Sequence, residues 1–321
     1  MIRWGIIGLG KIAGKFCLDL KLVEGTKLFA VASRSQEKAN AFASEHGASK
    51  AYGSYDQLIH DSDVDVVYVA TPHVHHAEIS IACLKAGKGV LCEKPFAMNT
   101  SQVQEMIMTA SQNKVFLMEA LWTRFFPSTQ YVLELCSSGQ IGNVRMVQAD
   151  FGFSAEYDTT KRLFNKGLGG GALLDIGIYP VYLSYLLLGY PQLINAQAHI
   201  GETGVDHSIA MMFKYPGDTH AILSSTLTAN TQTAAWIYGS EGAIQMHSRF
   251  HHCEKVSIYK GQELIETLDF SYSGGGYQFE IEEVVACMRE GRTESKRMSY
   301  KNSQDLINLL DQVREAVSLS Y

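Results

Sequence analysis

The feature that most constrains this chain is a glycine turn close to its start. A short apolar run, Ile2–Ile7, leads into Gly8-Leu9-Gly10-Lys11-Ile12-Ala13, and helical spacing follows over residues 11–22. This is the G-x-G-x-x-G/A form. Gly8 permits a tight turn, Gly10 lets the backbone approach a pyrophosphate, and Ala13 lets a helix pack close to a sheet. The new helix then directs free N–H groups and the positive end of its dipole at phosphate. Glycines also end strands for purely structural reasons. Here the turn lies between a strand and a helix, at the head of a βαβ unit, and that context points to dinucleotide binding.

The end of the second predicted strand bears on which dinucleotide. An NAD site usually places Asp or Glu there to take the ribose 2′-hydroxyl. This chain has Ser33-Arg34-Ser35, with Lys38 about one turn later. A carboxylate would repel a 2′-phosphate, whereas Arg34 can pair with it, serine hydroxyls can donate to it, and Lys38 adds charge. The pattern favours NADP, against the plain alternative of a solvated arginine at a helix start.

The first third alternates strand-like and helix-like segments. Residues 64–70 are a continuous apolar run, as in a strand buried on both faces, and residues 27–33, 89–92 and 115–119 are further strands separated by helical spacing. Alternation of this kind means a parallel sheet. The pattern changes near Ala120. A helix over Pro127–Ser137 leads to a long strand over 144–153, then an apolar helix, then six short strands between 193 and 259 with hairpin-like turns. Two helices close the chain. The expected fold class is α/β: a dinucleotide-binding Rossmann domain over 1–121, and an α+β domain with an open, mostly antiparallel sheet over 122–321.

Composition excludes several classes. Of 321 residues 46% are hydrophobic and 19% charged, as in an ordinary globular chain, and the formal net charge of -6 with no basic block gives nucleic acid little to bind. No apolar run is long enough to be read as a membrane span, and no cationic segment with an apolar stretch precedes Ile2, so no secretory signal is read. The six cysteines are scattered without paired spacing, which fits reduced thiols in a cytoplasmic protein, and no Cys/His set has zinc-ligand spacing.

Two segments carry candidate chemistry. Cys92-Glu93-Lys94-Pro95 follows a buried strand, at the end where α/β sheets bind ligands. A lysine there can lower the pKa of a nearby phenol, although Lys-Pro alone also reads as a surface loop. The second segment, Gly169-Gly170-Gly171-Ala172-Leu173-Leu174-Asp175-Ile176-Gly177-Ile178-Tyr179-Pro180, opens a helix apolar nearly all round. Burial makes Asp175 costly, and Tyr179 four residues on shares its face, so the two suggest a proton-handling pair, or a core tyrosine bonded to a structural carboxylate. Gly177 and Pro180 predict a kink. Trp122, Phe125, Phe126 and Phe153 suit either an apolar wall or core packing.

Together the Gly8–Ala13 turn, Thr71-Pro72-His73-x-x-His76, Glu93-Lys94-Pro95 and Gly-Gly-x-x-x-Asp175-x-Gly-x-Tyr179 resemble the glucose–fructose oxidoreductase / inositol dehydrogenase (Gfo/Idh/MocA) family, over nearly the whole chain. Tyr179, where most of the family has His, and the segment from Met118 to Pro127 look like its dimeric dihydrodiol dehydrogenase branch, which includes NADP-dependent D-xylose dehydrogenases. The resemblance implies a hydride-transferring enzyme acting on a small polyol, sugar, dihydrodiol or dicarbonyl, and a homodimer formed through the C-terminal sheet. By it, Tyr179 matches the catalytic acid/base, Lys94 the lysine that supports it, and Asp175 a carboxylate near the substrate. Thr71, Pro72, His73, His76 and Glu93 line the cofactor path, Trp122 and Arg124 stand near nicotinamide and substrate, and Tyr277 approaches the cofactor. Three alternatives stay open: a dinucleotide-binding regulator without turnover, an NAD-dependent inositol or sugar dehydrogenase, and a purely structural NADP-binding subunit.

Overall fold

The apolar run Ile2–Ile7 has its last four residues buried, and it forms the centre of a six-stranded sheet. The structure, a computed structural model, describes residues 1–321. In chain order the first elements are β1 (Ile2–Ile7), α1 (Lys11–Leu20), β2 (Thr26–Ala32), α2 (Gln36–His46), β3 (Lys50–Tyr52), α3 (Tyr55–Ile59), β4 (Val66–Val69), α4 (His76–Lys85), β5 (Gly89–Glu93), α5 (Thr100–Asn113) and β6 (Leu117–Ala120). The strands run β3-β2-β1-β4-β5-β6, all parallel. All four residues of β4 are buried, as a strand covered on both faces requires. The order reverses between β1 and β4, and ligands bind at the carboxyl ends of the strands flanking such a reversal. Helix starts follow local chemistry: Ser35, Ser54 and Asn99 cap α2, α3 and α5 by accepting the N–H of Lys38, Gln57 and Gln102.

The second unit begins at Phe126. Its elements are α6 (Pro127–Ser137), β7 (Val144–Gly152), α7 (Ile178–Leu188), β8 (Leu193–Ile200), β9 (Asp206–Tyr215), β10 (Thr219–Thr226), β11 (Ala235–Gly239), β12 (Gly242–Met246), β13 (Lys255–Lys260) and β14 (Glu263–Asp269). The eight strands run β14-β13-β12-β11-β7-β10-β9-β8, antiparallel except where β7 pairs with β10. Alternation along β9 buries Ile209, Met211, Phe213 and Tyr215. The opposite face carries a registered row, Asn195, Met212, Ile222, Gln148, Trp236 and Gln245, in which Met212 and Ile222 are 48% and 45% exposed. One stretch, Lys166–Leu188, is long and apolar enough to cross a membrane, but 83% of its most apolar window is buried in the fold, as in a core helix.

The chain then returns. Helix α8 (Gln278–Arg289) and the start of α9 (Tyr300–Ala316) follow, and Ser273–Ile307 belongs to the first unit, while Asn308–Tyr321 belongs to the second. This differs from the two contiguous segments, 1–121 and 122–321, expected from the change of pattern. The reason is long-range bonding. Asp19 on α1 accepts the N–H of Gly275 at 2.8 Å and of Tyr277 at 2.8 Å, Leu117 donates to the Thr293 carbonyl, and Arg124 Nε donates to the Arg297 carbonyl.

Within the second unit, Asp206 fixes the glycine-rich entry to the apolar helix. It has no exposed surface, its Oδ2 accepts the N–H of Leu173 at 2.6 Å, and a Cβ on Gly171 would meet its Oδ1. Burial pushes its carboxyl up to about 7, against the lowering effect of these N–H groups and of Arg314. A raised carboxyl favours the protonated folded state, so its contribution is full below about pH 4 and is lost as pH rises through about 7. We expect Asp206→Asn to flatten the fall in stability between those limits, because a tenfold difference in proton affinity between folded and unfolded chain is worth about 1.4 kcal/mol. Urea unfolding at a series of pH values checks this. Glu119, also raised to about 7 by burial, adds a slope of the same sign, so the variant reduces the slope without abolishing it. An unchanged slope would show that Asp206 ionises normally.

Candidate active site

The glycine turn takes the form its chemistry requires. Gly8 has φ +95°, and a Cβ there would lie 2.5 Å from the backbone of Ala70, so the turn packs directly on the end of β4. A Cβ on Gly10 would meet nothing within 4 Å, leaving open space beside the turn. Ala13 is fully buried against the sheet. No side chain caps α1, so its first N–H groups stay available to an anion. Leu9 is buried, whereas Lys11 and Ile12 are exposed. At the end of β4, Thr71 Oγ1 is buried without a hydrogen-bond partner. These features fit a pyrophosphate-bearing cofactor.

At the end of β2, Ser33 is nearly buried and accepts the N–H of Ser35, whose own side chain caps α2. Arg34 and Lys38 are exposed, and Arg34 forms no ion pair. At the end of β5, the Glu93 carboxylate takes the Tyr68 hydroxyl on Oε1, in a short hydrogen bond, and the Lys94 N–H on Oε2 at 3.2 Å. Tyr68 stacks on Phe16 of α1 with centroids 3.8 Å apart. The lysine turn, whose Lys94–Pro95 bond is cis, is thus tied through β4 to the helix that opens at the glycine turn. His76 faces two backbone carbonyls, of Thr71 and Pro95, and His73 is nearly buried beside it. Pro72 precedes the single 3₁₀ turn that carries His73.

Trp122 stacks on Tyr277 at 4.8 Å, which gives the distant Gly274–Gly276 segment a defined place in this unit. Phe125 is not an open wall. It is 2% exposed, and the Arg297 guanidinium lies over its ring at 5.2 Å. Phe126 is likewise interior, packed on Tyr272 of the second unit.

In the second unit the segment Leu173–Gly177 is a π-helix that passes into α7. Gly177 allows a close approach, since a Cβ would sit 2.8 Å from Ser225 Oγ on β10. The expected kink is therefore a widened turn, a form common at functional sites, and Pro180 follows it as the third residue of α7. Asp175 lies in the widened turn and pairs with Arg162 Nη1 at 2.8 Å. Tyr179 follows, 6% exposed, with its ring 5.6 Å from Phe151 of β7 and 4.9 Å from His251. Phe151 and His251 stack at 4.4 Å. Phe153, just past the end of β7, packs with Phe151 on the cluster of Phe164, Ala172, Ile176 and Leu227.

Arg162 contacts Asp175, and Phe151 and His251 contact Tyr179, and the sequence singled out none of the three for this site. Phe151 has a signal in hindsight, because strand alternation places it on the face of Phe153. Arg162 and His251 lie on isolated 3₁₀ turns, Arg162–Phe164 and Phe250–His252, where no periodicity marks them.

A glycine turn at a parallel-sheet reversal, joined to an eight-stranded open sheet, defines a class, and the chain belongs to the Gfo/Idh/MocA oxidoreductase family. Residues 2–121 match its NAD-binding Rossmann fold and residues 129–245 match the GFO/IDH/MocA C-terminal domain. Among curated relatives, trans-1,2-dihydrobenzene-1,2-diol dehydrogenase of Xenopus tropicalis is 38% identical, covering 99% of both chains, and that of Homo sapiens is 34% identical, covering 100% of this chain and 98% of its own. Among solved structures, a 3-ketoreductase from Actinomadura kijaniata in complex with NADP and TDP-benzene is similar with TM-score 0.89 and 27% identity, covering 98% of each chain. An aldose-aldose oxidoreductase from Caulobacter crescentus shares the fold, with TM-score 0.90 at 23% identity over 99% of this chain and 97% of its own.

Proposed function

We propose that this chain is an NADP-dependent dehydrogenase or reductase that interconverts CH–OH and carbonyl groups on a small cyclic diol or polyol. The observation that carries the reading is Tyr179, a phenol at the start of α7, four residues after the Arg162-paired Asp175 of the π-turn and backed by Phe151 and His251. Hydride transfer is the chemistry that a nicotinamide dinucleotide would supply when held by the glycine turn. In the oxidative direction Tyr179 takes the substrate hydroxyl proton, and in reduction it returns it. A tyrosine ionises near about 10 in water, so a cation is needed to favour its deprotonated form, and Lys94 takes that role. Asp175 and Arg162 orient substrate hydroxyls. The aromatic group around Tyr179 suits a flat apolar ring face, in keeping with the dihydrodiol named for the relatives. Arg34, exposed and unpaired at the end of β2, takes the 2′-phosphate.

The open sheet face, with Trp236, Met212 and Ile222 in one row, is proposed as a homodimer surface, and the cytoplasm as the compartment. The test is a screen for NADP⁺ reduction across trans-dihydrodiols, D-xylose, other pentoses and hexoses, with dicarbonyl reduction as the reverse assay. Turnover with a dihydrodiol or sugar, and preference for NADP⁺ over NAD⁺, are the expected results. NADPH binding without turnover on any of them would favour a non-catalytic regulator.

A further inference from the structure

His76, the first residue of α4, has no exposed surface. Its Nδ1 lies 2.8 Å from the carbonyl oxygen of Pro95, and its Nε2 lies 2.8 Å from the carbonyl oxygen of Thr71. A carbonyl oxygen only accepts hydrogen bonds. A neutral imidazole carries one N–H and one lone pair, so in either tautomer one of these contacts would set a lone pair against an oxygen. Turning the ring over does not remove the conflict, because it places carbon atoms where both nitrogens now stand and forfeits both bonds. Only the doubly protonated ring donates to both carbonyls.

We infer that His76 is a buried imidazolium that clamps the Thr71 carbonyl to the Pro95 carbonyl, and so holds the turn after β4 and the Lys94 turn at a fixed separation. Two charge-assisted hydrogen bonds offset the cost of removing the cation from water. The charged and titratable groups around it are identifiable. His73 lies on the preceding 3₁₀ turn, with its ring centroid 5.7 Å away. Glu93 and Lys94 immediately precede Pro95. Glu119 of β6 accepts the N–H of Phe96, the residue after Pro95, at 3.0 Å. On α4 itself, Glu78 is exposed and Cys83 is buried.

His76 is then a positioning residue, acting through the backbone on either side of it. The Lys94 turn is braced twice: Glu93 holds the Lys94 N–H and His76 holds the carbonyl of Pro95, one residue further on. The consequence for catalysis rests on the proposed role of Lys94, but the protonation state does not.

The test is long-range ¹H–¹⁵N NMR of the full chain labelled with ¹⁵N-histidine, at about pH 7 where an ordinary histidine is mostly neutral. The His76 signals are assigned by their loss in His76→Gln. Both ring nitrogens are expected at protonated shifts, each with a slowly exchanging proton. A lone-pair shift on either nitrogen overturns the inference. If His76→Gln does not fold, neutron diffraction from wild-type crystals reads the same two protons directly, and one missing ring deuteron is equally decisive. Neither measurement needs substrate or turnover, so failure of the NADP⁺ screen leaves this inference standing, and a neutral His76 leaves the dehydrogenase reading standing.

Discussion

On the proposed role of Tyr179, Tyr179→Phe is expected to lower kcat by about 10²–10⁴-fold while leaving NADPH affinity unchanged. The magnitude is that of losing a positioned acid/base from a proton transfer. The second half of the prediction follows from packing. Tyr179 is 6% exposed and its ring rests on Phe151 and His251, contacts that phenylalanine keeps in full. The substitution deletes one oxygen from a site whose shape is otherwise set by the π-turn and by Gly177 against Ser225. The glycine turn and the end of β2 belong to the first unit and are untouched. Steady-state rates paired with fluorescence titration of NADPH separate the two effects. Unimpaired turnover would take the proton from Tyr179 and turn attention to His251, the neighbouring imidazole. Weakened NADPH binding would show that the phenol serves the cofactor instead.

Arg34→Ala is expected to weaken NADPH by roughly 10–150-fold, the equivalent of the ~1.5–3 kcal/mol of a hydrogen bond to a charged group, and to leave NADH within about twofold. Arg34 is exposed and forms no ion pair in the structure, so its removal disturbs no packing and strands no buried charge. Ser35 keeps α2 capped through the N–H of Lys38, so the helix start survives the change. Isothermal titration with each dinucleotide reads the difference directly, and raising the salt concentration diminishes it, because the contact lies near solvent. Equal losses for both cofactors would mean that Arg34 supports the adenosine pocket generally and does not read the 2′-phosphate.

What the sequence revealed divides by range. The glycine turn, the buried run of β4 and the lysine turn after β5 are written in consecutive residues, and each appears close to where the local pattern predicts it. Three elements escaped. Strand β3 has three residues and α3 has five, too few to show a period, and β3 is held from outside by Asp61, which binds both Lys50 and Tyr52. Strand β14 lies at the sheet edge with nearly every residue exposed, so the alternation that marks a half-buried strand never develops. The Asp175–Tyr179 segment was legible as a buried polar interruption of an apolar helix. Its widened turn was not, because the proximity of Gly177 to Ser225 is a tertiary fact. Arg162 and His251 were invisible for the same reason.

The bonds from Asp19 to Gly275 and Tyr277 also have a meaning in time. A ribosome adding about 5–20 residues per second needs roughly seven to thirty seconds to make the stretch between Phe126 and Tyr272. Throughout that interval the nascent nucleotide-binding half carries Asp19 without the amides it is built to receive. A gene fragment cut after Phe125 is permanently in that condition, so a nucleotide-binding module excised from this chain has to bring Ser273–Ile307 with it.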